Sequence, residues 1–180
     1  MNKRIGSWML AACVAGTALA PFSEAEAALN AYLKLKGQKS GDIKGSVTQK
    51  GREGRIAVIA VSHTIVSPRD AASGLPTGKR MHKPIVITKV VDRTTPTLNN
   101  VLCTNENLTE VVFSVYEPRD GAEALSYTIK LTNANIASIA MRADADGRLV
   151  EDITLVYQKI EWSWVNGGIT AQDDWEAASP

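Results

Sequence analysis

The chain has 180 residues, 44% of them hydrophobic and 22% charged, with a formal net charge of +1. That length suits one domain with its own core, preceded by a leader. The near-neutral balance supplies no electrostatic case for nucleic acid.

The leader comes first, over residues 1–27. "MNKR" is basic, Ile5 to Ser23 carries no charge, and "SEAEA" is small and polar. That order is a secretory signal peptide. It is a poor membrane span, because Gly6, Gly16, Thr17 and Pro21 interrupt it and about 20 strongly apolar residues are wanted. Cleavage is expected after Ala27, at "AEA"; the competing "ALA" site ends at Ala20, directly before Pro21. Two alternatives stand beside this one. "LAAC" has the form of a lipid-attachment box, which would anchor the protein through Cys13. A misplaced start would move the true beginning to about Leu29. If the leader is removed, Cys103 has no intrachain disulfide partner and reads as a small buried hydrophobe.

Residues 28–180 read as one mainly β domain. "AYLKLK" alternates, with Ala31, Leu33 and Leu35 on one face and Tyr32, Lys34 and Lys36 on the other. "GQKSGDIKGSVTQKGREG" is turn-rich, and "RIAVIAVSHTIV" is one long β-branched run. "SPRDAASGLPTGKRM" is an extended loop, and "KPIVITKVV" is a strand. In "TTPTLNNVLCTN" the period changes to that of a helix. Thr95 can cap it, Pro96 suits its first turn, and Leu98, Val101 and Leu102 share a face. Strands resume with "EVVFSVYE", "ALSYTIKLT", "ANIASIAMRA" and "LVEDITLVYQKIEWSWV", with turn signals at "PRDGA", "DADG" and "NG". The polar tail "GGITAQDDWEAASP" is expected to be loosely held. The class is therefore a compact antiparallel β-barrel or sandwich with one α-helix and an extended loop.

Catalytic and metal chemistry find little support. The histidines are His63 and His82, and no ligand spacing surrounds them. His63 stands beside Ser62 and Thr64, without a nucleophile elbow to frame a triad. Asp144, Asp146 and Gly147 begin like a calcium loop, but Arg148 follows and a third acidic position is missing, so a hairpin turn is expected. No Gly-rich phosphate cradle occurs. No cofactor, metal or enzymatic activity is expected. Trp162 and Trp164 share a strand face, which fits a core or subunit interface better than a carbohydrate platform. Lys79, Arg80, His82 and Lys83 form a local basic cluster in "GKRMHK".

In order along the chain, "AYLKLKG", "GREGRIAVIAVSHTI", "TGKRMHKPIVITKVVDRTTPTLNNVLCTNENL", "SYTIKLTNANIASI", "LVYQKIEW" and "NGGITAQDDWE" resemble the haemolysin co-regulated protein (Hcp) family, the tube protein of type VI secretion systems. The resemblance implies a β-barrel with one helix and a protruding loop. It implies a non-catalytic homo-oligomer, a hexameric ring that stacks into a tube and meets spike or effector proteins. No fused toxin domain is expected. By position, the loop Ser67 to Met81 and the residues Lys79, Arg80, His82 and Lys83 would contact neighbouring subunits. The leader departs from that pattern, because tube subunits assemble in the cytoplasm and leave without a cleaved signal. A secreted or periplasmic location follows from the leader; a cytoplasmic start follows if the start is misplaced. The other reading is an exported β-sandwich binding module that kept the fold without the tube.

Overall fold

The computed structural model describes residues 29–175 and Ala177. The leader, with Ala27 and Cys13, lies outside the described residues. Strand β1 (Ala31–Gly37) turns into β2 (Gly41–Ile43), and β3 (Ile56–Val58) and β4 (Ala60–Ser62) follow a turn-rich segment. β5 (Ile65–Val66) and β6 (Met81–His82) flank an arm and lead to β7 (Ile85–Val90). Helix α1 (Thr95–Cys103) precedes four longer runs: β8 (Leu108–Arg119), β9 (Ala122–Ala143), β10 (Leu149–Trp164) and β11 (Ile169–Asp174).

Antiparallel pairing gives the order β2-β1-β8-β9-β10-β7-β4, with β3 also on β1 and β11 also on β10. β3 and β4 are separated only by Ile59. Ala31 lies opposite Val58 while Ala60 lies opposite Thr88, and the Ile59 amide donates to the Thr88 carbonyl at 2.8 Å. One short segment thus changes partner from β1 to β7 and closes the sheet into a barrel. Closure removes two open edges that would otherwise invite non-specific pairing. The expected single strand "RIAVIAVSHTIV" is therefore three short strands, and His63 falls between β4 and β5 rather than within a strand.

The alternation in β1 holds: Ala31, Leu33 and Leu35 are buried in the core. Leu98 and Val101 of α1 are fully buried in the same core, whereas Cys103, expected to be a buried hydrophobe, is exposed at the end of the helix. Asp120 and Gly121 both have positive φ, at 50° and 79°, and make the two-residue hairpin turn between β8 and β9. "ALSYTIKLT" and "ANIASIAMRA" form one continuous strand. Asn133, at φ 50°, joins them, and its amide donates to Gln158 Oε1 at 2.7 Å. Asn tolerates that left-handed backbone, so the strand kinks instead of ending. Asp144 makes a turn as expected, accepting from the Asp146 and Arg148 amides at 3.0 and 2.8 Å.

The helix begins one residue differently from expectation. Thr94 occupies the N-cap position, and Thr95 is the first helical residue. The Thr95 hydroxyl is engaged elsewhere, donating to Glu151 Oε1 at 2.9 Å. Asp92 takes over at the N-terminus, accepting from the Thr94 amide at 2.9 Å and the Thr94 hydroxyl at 2.5 Å. Its carboxyl is held below the usual range although burial opposes this, because Lys89 and Thr94 donate to it. Beneath the helix, the wholly buried Lys89 Nζ lies 2.6 Å from Glu151 Oε1 and 2.8 Å from Asp92 Oδ1. This polar knot ties β7, β10 and the start of α1 together.

The turn between β1 and β2 is fastened by Glu106, which follows α1. Its Oε1 accepts from the Lys39 and Ser40 amides at 2.6 and 2.7 Å, and its Oε2 accepts from the Ser40 hydroxyl at 2.8 Å. These donors favour the charged form and lower its pKa.

Candidate functional site

Two features stand out from the barrel: an arm, and a polar cluster at its base. The arm was expected as a loop. It is instead an ordered hairpin, rooted where Ile65 pairs with His82 and Val66 with Met81. An isolated bridge joins Arg69 and Pro76. At the tip, Asp70 Oδ1 accepts from the Ala72 and Ser73 amides at 3.1 and 2.7 Å and from the Ser73 hydroxyl at 2.8 Å. This local turn shapes an exposed tip. Every residue from Arg69 to Lys79 is exposed, and Leu75 is 65% exposed.

At the base, the chain returns through "KRMHK" against β11. The Arg80 guanidinium forks onto the Asp173 carboxylate and also donates to the Asp174 carbonyl at 2.8 Å. His82 Nε2 meets Asp173 Oδ2 at 2.6 Å, and His82 Nδ1 meets the Tyr157 hydroxyl at 3.0 Å. That hydroxyl also meets His63 Nε2 at 2.7 Å. Lys79 Nζ donates to the carbonyls of Trp175 and Ala177 at 2.6 and 3.0 Å. The Trp162 ring stacks on His82 at 6.2 Å between centroids, and Trp175 lies 5.5 Å from it.

Electrostatics follow from this geometry. Hydrogen bonds from Arg80 and His82 hold the Asp173 carboxyl down at about 2, against the opposing effect of burial. Burial and the nearby Asp173 charge push the Tyr157 hydroxyl up. Burial, followed by repulsion from His82, pushes His63 down. For Asp173 the sign is that of a depressed acid. Its stabilisation is complete above the unfolded value of about 3.9 and is lost as pH falls towards about 2. Screening at this partly open site reduces the full linkage value, so Asp173→Asn is expected to cost about 1 kcal/mol near neutrality. Thermal melts across the acid range should show the gap between wild type and variant closing as pH falls.

The sequence-derived basic cluster therefore divides. Lys79, Arg80 and His82 hold the C-terminal segment of their own chain, while Lys83 is exposed. The expected tail is in fact β11, paired to β10 from Lys159 opposite Asp174 to Trp164 opposite Ile169. Sequence reasoning missed Asp173 and Tyr157, whose partners lie far away in the chain. Trp162 and Trp164 do not act as a pair. Trp162 packs against the core, while Trp164, 41% exposed, lies 6.5 Å from the Tyr127 ring.

What this site can do chemically is hold and recognise. A groove of about 150 Å³ borders His82, Lys83, Pro84, Val156, Tyr157 and Trp175, below the roughly 300 Å³ at which small-molecule sites begin. Among the described residues no group of three or more His, Cys, Asp or Glu side chains converges as metal ligands. Among them, no helix is long and apolar enough to cross a membrane.

Comparison with known proteins agrees with the barrel fold. Residues 32–164 match the family model described as "Type VI secretion system effector, Hcp". The "Major exported protein" of Pseudomonas aeruginosa is 34% identical over 164 residues, covering 82% of this chain and 95% of that one. A doubly tryptophan-substituted Hcp1 from E. coli EAEC 042 superposes with a TM-score of 0.76 at 34% identity, covering 82% of this chain and 99% of its own. The secreted Hcp3 of P. aeruginosa superposes with a TM-score of 0.67 at 29% identity, covering 81% and 99%. From the first barrel strand to the end of β10, this chain belongs to the Hcp family of type VI secretion proteins.

Proposed function

We propose that the protein is a non-catalytic structural subunit that assembles into hexameric rings, which stack and carry effector proteins. The observation that carries this reading is the arm. Its ordered backbone exposes Leu75 and every neighbour from Arg69 to Lys79, which has no rationale in an isolated barrel and is explained by an adjoining subunit. Family membership supports the same conclusion. In a closed ring one patch meets a different patch on the next copy, so a projecting arm on every subunit is satisfied at every junction. Lys79, Arg80 and His82 contribute by fixing the arm's root, and Lys83 by direct contact. The leader favours a secreted or periplasmic location.

The test is light scattering after size exclusion on the chain from Ala28 onward. A hexamer is expected. Replacing Arg69–Pro76 with two glycines should leave the melting temperature of the barrel within about 2 °C, because those residues bury nothing, while weakening ring assembly. A strict monomer at high concentration would overturn the ring. The alternative of an exported binding module using both tryptophans has less support, since Trp162 is taken up by the core cluster.

A further inference from the structure

We propose that His63, Tyr157, His82 and Asp173 form an acid-sensitive clasp, which ties β11 and Trp175 to the root of the arm and is loosened at Tyr157 when both imidazoles carry a proton.

The argument is a count of hydrogens. The Tyr157 hydroxyl lies between His63 Nε2 at 2.7 Å and His82 Nδ1 at 3.0 Å. A hydroxyl brings one hydrogen. Two contacts need two hydrogens, so at least one ring nitrogen must donate, and the hydroxyl hydrogen is used within the cluster only if the other nitrogen accepts it. His82 Nε2 carries its hydrogen towards Asp173, which Arg80 keeps ionised. If His82 becomes an imidazolium, it donates to both Asp173 and Tyr157. Tyr157 then donates to His63, which must stay neutral. If His63 takes the proton instead, His82 must be the acceptor. Protonating both rings turns two N–H groups onto one oxygen and leaves the hydroxyl hydrogen without an acceptor in the cluster. Tyr157 is 9% exposed, and an unpaired polar group at such a site is costly.

The surroundings decide which ring loses. His82 has a carboxylate; His63 has the Tyr157 hydroxyl, and its ring lies 6.1 Å from that of His82. Charged groups facing the pair are Asp173 from β11 and Arg80 from the arm's root, with Asp174 beside Arg80; β10 contributes the neutral Tyr157 and Trp162. Arg80 adds a positive charge that opposes a second imidazolium. The surroundings therefore disfavour a charge on His63, in line with the downward push from burial and from His82. As a base with a depressed folded value, it contributes fully above its ordinary value of about 6.5, and that contribution is lost as pH falls below it.

Hydrogen–deuterium exchange on the full chain, corrected for intrinsic rates, tests this at about pH 7.5 and about pH 5. Peptides over β11 and Trp175 should lose about tenfold protection in acid relative to the buried part of β10. His63→Gln, which donates or accepts without charge, should reduce that loss to less than about threefold. Equal protection of the wild type at both pH values, or an equal acid loss in His63→Gln, would overturn the clasp. Proton NMR of the two imidazoles in the unsubstituted chain gives an independent reading. The His63 midpoint is expected below its ordinary value of about 6.5 and coinciding with the loss of protection, and a His63 midpoint at or above about 6.5 would refute the proposal.

Discussion

Replacing Lys89 with methionine is expected to destabilise the barrel by about 3–5 kcal/mol, the cost of leaving a buried charge without its partner. Lys89 and Glu151 are both 0% exposed, and the ammonium also meets Asp92 and the Val90 carbonyl. Removing it leaves two carboxylates facing each other under α1. The second substitution decides what the knot is for. A Lys89→Met, Glu151→Leu double variant should recover most of the loss, because well-packed apolar residues often replace a buried pair without cost. One oxygen of the pair, Glu151 Oε2, has no hydrogen-bond partner, so the wild-type arrangement is itself imperfectly satisfied. Denaturant unfolding at a fixed protein concentration measures both variants, and fixing the concentration keeps assembly from biasing the comparison. A double variant no more stable than Lys89→Met would show that the knot selects the position of α1 rather than supplying charge balance.

Arg52→Lys is expected to cost about 2 kcal/mol despite conserving charge. The guanidinium is 6% exposed and lies against two rings that meet edge-on, with its carbon 5.0 Å from the centroid of Tyr32 and 4.1 Å from that of Tyr116. Its nitrogens also reach Glu123 at 2.5 Å, Gln49 at 3.0 Å and the Tyr32 hydroxyl at 3.1 Å. A planar fork can stack and bond along several directions together, whereas a compact ammonium cannot. Arg52 pins the turn-rich segment before β3 to the tip of the β8–β9 hairpin. The loss should therefore appear in thermal melts, with faster amide exchange around Gln49 to Glu53. An unchanged melting temperature in Arg52→Lys would show that charge alone suffices there.

How much of this was legible in the sequence depends on what each signal encodes. Period-two alternation in "AYLKLK" and the proline-led helix are local; the alternation appears as read, and the helix forms with Thr94 instead of Thr95 at its cap. The Asp-Gly hairpins are local too, since left-handed backbone is demanded at the turn itself. "RIAVIAVSHTIV" failed for a physical reason: a continuous β-branched run says that the segment is extended, not where it changes partner. The buried knot carried a signal that went unused. Lys89 is in phase with Ile85 and Ile87, and Glu151 with Ile153 and Leu155. Two opposite charges, each in the buried phase of a strand, announce a pair. The clasp gave no such warning, because His82 and Asp173 stand in phase with nothing that names the other, and the polar tail around Asp173 resembled loose chain.

The closing of the sheet also constrains the order in which the protein can form. β1 gains its main partner only when Ala31 lies opposite Val115 on β8, and its other side depends on β3. A strand synthesised early thus keeps Leu33 and Leu35 uncovered until most of the chain exists. Pairings so distant in sequence must pay their loop-closure entropy before any contact rewards them. The nascent chain therefore passes through a long interval in which the first strand has only β2 and β3 on one edge and no partner on the other.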